Sequence, residues 1–99
     1  MATTEILAPG TTAASSAEQN VPSGEMATLA FKPAAGKPLG ANARANVESK
    51  SSSGDWIHVG VLSNNQGSFM PAADLLGPKT FRVSRPTLDA SDACGVDLT

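Results

Sequence analysis

The chain has 99 residues, a formal net charge of −2 at pH 7 and a pI near 5.1, which suffices for one small domain. Its seven Lys and Arg residues form no basic stripe that would neutralise phosphates, so we expect no nucleic-acid partner. No apolar run approaches the roughly 20 residues of a transmembrane helix, and the first ten residues lack the features of a signal peptide. We therefore expect no membrane partner, and synthesis in a reducing cytoplasm.

The hydrophobic residues available for a core are few and mostly small. Val, Ile, Leu, Met, Phe and Trp number 23 together, whereas Ala alone supplies 16 residues. Domains with such marginal cores commonly gain stability from disulfides, a bound metal or oligomerisation. The single cysteine, Cys94, excludes an intrachain disulfide, and the single histidine, His58, leaves a zinc site short of ligands. The composition therefore predicts a chain without a cofactor that forms a homo-oligomer or docks on a larger assembly.

Short strands separated by turns dominate the predicted secondary structure. Sixteen Pro and Gly residues leave little room for helices, and period-two runs fit the sequence better. The first predicted strand covers residues 4–8. Residues 11–21 are rich in Thr, Ala and Ser and predict either an extended arm or a weak edge strand. Residues 25–31 alternate, which places Leu29 and Phe31 on one face of a further strand.

The middle of the chain contains the strongest strand pattern. Residues 33–40 hold two prolines and two glycines and predict a loop. Residues 42–49 alternate strictly between small apolar and polar side chains, as in a half-buried strand. Residues 56–62 carry apolar side chains on both faces, which favours a central position in a sheet. Trp56, at the start of this strand, is predicted to fill the core rather than to stack on a sugar.

The remaining segments complete an all-β pattern. Residues 69–76 fit either a strand or a helical turn, because Pro71 argues against a central strand. Residues 79–85 alternate as a strand, and residues 93–98 close the chain as another. About seven short strands at roughly 8–12-residue spacing predict an all-β fold, a small antiparallel β-sandwich or small barrel.

Two residues could carry nucleophilic or acid–base chemistry. His58 lies in a predicted strand with no partner in the sequence to orient it, so we expect a structural or surface histidine. Cys94 has no predicted helix N-terminus nearby to lower its pKa, so we expect a small buried residue rather than a nucleophile. We therefore predict no catalytic residues and a protein that is not an enzyme.

Metal and phosphate sites are predicted to be absent as well. Asp89, Asp92 and Asp97 do not match the spacing of a calcium loop, and solvated loop carboxylates are the simpler interpretation. The tripeptide Gly36-Lys37-Pro38 lacks the remaining residues of a phosphate-binding loop. We expect no metal-binding and no cofactor-binding residues.

Three stretches carry a resemblance to a known group of proteins. They are Thr4-Glu5-Ile6-Leu7-Ala8-Pro9-Gly10-Thr11-Thr12-Ala13-Ala14-Ser15-Ser16, Asp55-Trp56-Ile57-His58-Val59-Gly60, and Gly77-Pro78-Lys79-Thr80-Phe81-Arg82-Val83-Ser84-Arg85-Pro86 followed by Gly95-Val96-Asp97. Together they resemble small Ig-like β-sandwich proteins encoded among the structural genes of tailed bacteriophages. The chain lacks the Cys…Trp…Cys framework of antibody domains.

This resemblance implies a virion structural protein made in the host cytoplasm. The function we expect is that of a capsid decoration, or cement, subunit that binds the outer surface of a phage head, with the major capsid protein as partner. The alternative is a receptor- or carbohydrate-binding module on a phage tail or fibre. An enzyme ranks third.

Residues 1–21 and the loop at 33–40 are the expected contact regions. We interpret residues 1–21 as an extended N-terminal arm or weak edge strand and residues 22–99 as the sandwich domain. An arm poor in large side chains can bind by adding a strand to a partner's sheet, because backbone hydrogen bonds hold it. The predicted partner-binding residues are Thr4, Ile6, Leu7, Thr11, Thr12, Ser15, Ser16, Val21, Lys37 and Leu39.

Overall fold

The structure is a computed structural model that describes residues 3–36, 38–65, 67 and 69–99. Within these residues the chain forms nine β-strands, and a 3₁₀ turn lies at Ala90–Asp92. The strands are β1 (Thr4–Gly10), β2 (Ala14–Ser15), β3 (Gln19–Val21), β4 (Met26–Pro33), β5 (Arg44–Lys50), β6 (Trp56–Ser63), β7 (Ala72–Leu76), β8 (Lys79–Arg85) and β9 (Cys94–Leu98).

The strands form two antiparallel sheets. Sheet A has the order β1-β9-β4-β7, and sheet B has the order β2-β8-β5-β6, with β3 also paired to β8. Ala14 of β2 lies opposite Arg85 and Gln19 of β3 lies opposite Phe81, so β2 and β3 line the same edge of sheet B as two short pieces. The architecture confirms the predicted all-β fold, a small antiparallel β-sandwich.

The core lies between the sheets and draws on both of them. Leu29 and Val96 contribute from sheet A, and Leu62, Phe81 and Val83 from sheet B, all of them buried. Burial of each large apolar side chain contributes roughly 1.5–3 kcal/mol. The alternation predicted for residues 25–31 and 79–85 is confirmed. Ala27, Leu29 and Phe31 of β4 lie in the core or pack against it at every second position, as do Phe81 and Val83 of β8.

The described part of residues 1–21 lies within the two sheets. β1 pairs with β9, while β2 and β3 pair with β8. The backbone of Ser16 is tied to β8 as well, because its N–H donates to the carbonyl of Val83 at 2.8 Å. In return its Oγ accepts from the N–H of Val83 at 3.0 Å. Strand pairing uses backbone groups, so this segment joins the sheets although it offers few large side chains.

The structure corrects the position expected for residues 56–62 and decides between the strand and the helical turn expected for residues 69–76. β6 is an edge strand of sheet B and not a central one, since in the part of the chain that the structure describes β5 is its only strand neighbour. Its two-sided apolar pattern reflects exposed side chains, with Ile57 52% and Val59 46% accessible. Residues 69–76 contain a strand, β7, which begins after Pro71 and pairs with β4 at the edge of sheet A. This placement satisfies the restriction on proline in sheets.

Candidate interaction surface

The four sheet edges differ in how well they are protected against pairing with another chain. β1 contains Pro9 and two register irregularities, and β2 and β3 are only two and three residues long. β7 has five residues, an exposed Asp74, and Gly77-Pro78 directly after its end. Prolines, irregular register, short length and charges are the devices that keep strand edges from pairing. Each of these three edges therefore has at least one such device.

The β6 edge has one such device, a bulge, but none of the prolines, charges or short lengths found at the other edges. β6 has eight residues, none of which is Pro, Lys, Arg, Asp or Glu. It carries one bulge, since Gly60 lies opposite Val47 and His58 opposite Glu48, which leaves Val59 as the extra residue. Among the described residues after the strand, Met70 pairs with its last residue, Ser63, through two backbone hydrogen bonds of 2.7 and 2.9 Å.

Exposed apolar side chains accompany this open edge. We call Ile57, Val59, Phe69 and Met70 the β6 surface, and all four are exposed. Ile57 is the most informative of them, because its register partner Ser49 also lies opposite Phe81. Side chains opposite one another on neighbouring strands share a sheet face, so Ile57 lies on the inner face with the fully buried Phe81. The sandwich therefore leaves the inner face of sheet B open at its β6 corner.

The outer face of sheet B carries an aromatic and charged cluster beside the same edge. The guanidinium carbon of Arg82 lies 4.4 Å from the centre of the Trp56 ring, and Nζ of Lys50 lies 5.8 Å from it. Arg82 also donates from Nε to Oε1 of Glu48 at 2.9 Å. Trp56 is half-buried and lies outside the core cluster, so the prediction that it fills the core is wrong. It lies opposite Lys50, on the face turned away from the core.

A groove of about 480 Å³ lies on sheet B near the end of β6, lined by Asn42, Ala43, Arg44, Val61, Ser63 and Asn65. Asn46, the register partner of Val61, has a buried Oδ1 with no hydrogen-bond partner among the described residues. The lining offers amide, hydroxyl and guanidinium groups, which suit hydrogen bonding to a polar ligand or a partner backbone. No paired carboxylates or nucleophile–base pair occurs among these lining residues.

Arg85 is a structural residue that the sequence interpretation missed. Its side chain is 6% exposed and donates to three backbone carbonyls: Nε to Thr12 at 2.9 Å, and Nη1 to Ala8 at 2.6 Å and to Cys94 at 2.7 Å. These bonds join the N-terminal segment to β8 and β9. The signal was present in the alternation, because Arg85 falls at the same period-two positions as Phe81 and Val83.

The residues predicted to contact a partner differ in how far they are buried. Leu7, Ser16 and Val21 are buried in the interior of the protein, so their side chains are not available to a partner at the surface. Thr4, Thr12 and Ser15 are exposed, and Ile6, Thr11 and Leu39 are half-buried. The backbone of Leu39 is engaged, since its carbonyl accepts from Nδ2 of Asn64 at 3.3 Å. Lys37 lies outside the described residues.

The candidate residues for chemistry do not come together as a site. His58 is exposed on β6, whereas Cys94 is buried on β9 in the other sheet. Burial raises the pKa of the Cys94 thiol, which more than offsets the lowering effects of a hydrogen bond with the Arg44 backbone and of the Arg85 charge. A thiol held in its neutral form is a poor nucleophile.

The three aspartates occupy different environments. Asp89 is exposed and Asp97 half-buried, but Asp92 is buried and accepts the backbone N–H of Asn42 at 3.1 Å. The interpretation of Asp92 as a solvated loop carboxylate is therefore wrong; it holds the start of the loop before β5. Across the described ranges, no group of three or more His, Cys, Asp or Glu side chains is arranged to hold a metal ion.

The chain was compared with protein-family models, curated proteins and solved structures. No protein-family model, curated protein or solved structure matches the chain. Among the residues that the structure describes, no helix has the length and apolar character needed to cross a membrane.

Proposed function

We propose that this protein is a virion structural subunit, a decoration or cement protein that binds the outer surface of a phage head and acts without catalysis. The observation that carries the proposal is the exposure of Ile57 on the inner face of a core sheet. A sandwich that leaves part of its inner face open is suited to completion by another protein surface. The sequence resemblance supplies the phage head as the assembly.

A second exposed apolar pair supports an assembly role. Met26 and Leu76 lie directly opposite each other on β4 and β7, and both are exposed. Their strand neighbours Ala27 and Leu75 pack against the core, so alternation places Met26 and Leu76 on the outer face of sheet A. A subunit that reinforces junctions must contact more than one neighbour, and many copies with modest interfaces give a strong combined effect.

The outer face of sheet B favours the alternative function. Trp56 lies outside the core, and an exposed aromatic ring with polar neighbours is a common basis for sugar or receptor contacts. Arg82, however, lies over the ring at 4.4 Å and shares the surface that a sugar would use. We therefore rank a receptor- or carbohydrate-binding module on a tail or fibre second.

Deletion of the coding sequence from a phage that encodes this chain tests the proposal. We expect particles without the protein to rupture at lower temperature and at low salt, and purified protein added back to restore their resistance. Particles as resistant as complete ones would contradict the cement function. Stable particles that fail to adsorb to host cells, together with binding of the purified chain to a glycan array, would establish the alternative.

A further inference from the structure

We infer that the β6 edge is a self-association site at which a second copy of this chain adds antiparallel to β6 and continues sheet B across a two-fold axis. This inference deepens the proposed function, because it names the partner of one apolar surface. Its test needs no capsid, so a failure here leaves the cement function open, and a failure of the cement function leaves this interface open.

The backbone of β6 offers the first reason. β6 has one strand neighbour, β5, so the row of N–H and C=O groups on its other side has no strand partner from Trp56 to Leu62 among the described residues. Such an edge is a template for strand addition. β6 is longer than β2, β3 and β7, and unlike β1 it contains no proline.

Charge permits a second copy at this edge. β6 contains no Lys, Arg, Asp or Glu, and His58 is its only titratable residue. Two identical strands can therefore approach each other without repulsion between like charges, which is the usual obstacle to pairing of identical edges. The bulge at Val59 bends the strand but lies in the middle of an eight-residue edge, so backbone groups remain available on both sides of it.

The distribution of apolar side chains favours an antiparallel second copy over an unrelated strand. Ile57 lies near the start of β6, whereas Met70 and the adjacent Phe69 lie at its end, beside Ser63. In a two-fold antiparallel pair, the start of each strand lies beside the end of the other. The Ile57 end of each copy then meets the Phe69 and Met70 end of its mate. A single symmetric interface therefore buries Ile57 as well as Phe69 and Met70 in each of the two copies.

Sedimentation across a concentration series tests the inference, with Val59→Lys as the disruptive variant. Val59 is exposed, and a lysine on an edge strand is a natural block to pairing. Thr4→Lys is the matched control, because it adds the same charge to an exposed position on β1, at the opposite edge of sheet A from β7. We expect the wild type and Thr4→Lys to dimerise and Val59→Lys to dimerise roughly tenfold more weakly or not at all.

Hydrogen exchange of the wild type locates the contact without relying on a variant that might not fold. We expect backbone amides of residues 56–61 to become protected as concentration rises, and amides of β1 and β7 to remain unchanged. A wild type that stays monomeric at the highest concentration, a dimer protected at another edge, or equal dimerisation of the two lysine variants would overturn the inference.

Discussion

Arg85 on β8 donates a hydrogen bond from Nη1 to the backbone carbonyl of Cys94, at a distance of 2.7 Å. The same nitrogen reaches the carbonyl of Ala8 at 2.6 Å, and Nε reaches that of Thr12 at 2.9 Å. One buried side chain therefore connects strands of both sheets with the turn between β1 and β2. Within the described residues Arg85 forms no ion pair with a carboxylate. The dipoles of the three carbonyl groups stabilise its buried positive charge instead.

Arg85→Met is expected to destabilise the fold by about 3 kcal/mol, because it removes three hydrogen bonds of a buried cation, one to the buried Cys94 carbonyl and two to the part-buried carbonyls of Ala8 and Thr12. Arg82→Met is the matched control on the same strand. It removes a partly exposed ion pair with Glu48 and the contact with the Trp56 ring, so it should cost about 1–2 kcal/mol at most. Urea unfolding at neutral pH measures both. Equal midpoints for the two variants would show that the three carbonyl contacts contribute little.

Gly95→Ala is expected to disrupt the pairing of β1 with β9. A Cβ atom at Gly95 would lie 2.2 Å from the carbonyl oxygen of Leu7 and 2.7 Å from the nitrogen of Pro9, both of them backbone atoms. The backbone must shift, at a cost of roughly 2 kcal/mol or more. Gly60→Ala is the control, because its nearest neighbour is the Cβ of Val47 at 4.0 Å. Thermal unfolding should separate the two variants clearly; a Gly95→Ala protein as stable as Gly60→Ala would refute the close approach.

The stability of the fold is expected to fall as pH rises above about 9 through the titration of Cys94. Burial raises the pKa of this thiol above its ordinary value of 9.0. In that range the unfolded chain releases the thiol proton while the folded chain retains it, so rising pH favours the unfolded state. The difference in unfolding free energy between wild type and Cys94→Ala should therefore shrink from pH 8 to pH 10, measured by urea titration. A constant difference would contradict the assignment.

The same burial makes Cys94 slow to react. In the folded protein a thiol reagent should modify Cys94 far more slowly than in the urea-unfolded chain, because the side chain is both inaccessible and neutral. The rate of absorbance change with a chromogenic disulfide measures this difference. Equal rates in the two states would place the thiol at the surface.

Arg82→Met is expected to shift the fluorescence of Trp56 to longer wavelength, because the ring loses the guanidinium that lies 4.4 Å from its centre. Trp56 is the only tryptophan, so the emission reports on this position alone. The loss of the cation–π contact should cost about 0.5–1 kcal/mol. Arg44→Met provides the control, since Arg44 is an exposed arginine on the neighbouring strand β5. An identical emission spectrum in Arg82→Met and wild type would mean that the contact does not persist in solution.

Much of the fold was readable from local pattern. Alternation identified the inward faces of β4 and β8, and the abundance of Pro and Gly predicted strands and turns rather than helices. These features depend on the period of the side chains along one strand, which the sequence states directly. The burial of Cys94 followed from its residue type and was confirmed.

The order of strands across the sheets was decided by the tertiary structure. Trp56-Ile57-His58-Val59 has the composition of a central strand, yet β6 lies at an edge, because only the pairing of distant segments determines which strand has two neighbours. The same limit applies to residues 11–21, whose side chains carry little information although their backbone groups pair with β8.

The sequence by itself determined the strand periodicity and the small size of the core, because both are properties of residue type and spacing. Which residues meet across the fold was decided only by the tertiary structure. Arg85 reaches Ala8 and Cys94 because strands far apart in sequence converge there, and Ile57 remains exposed because sheet A leaves it uncovered. Contacts of this kind depend on the relative placement of whole sheets, which no local pattern encodes.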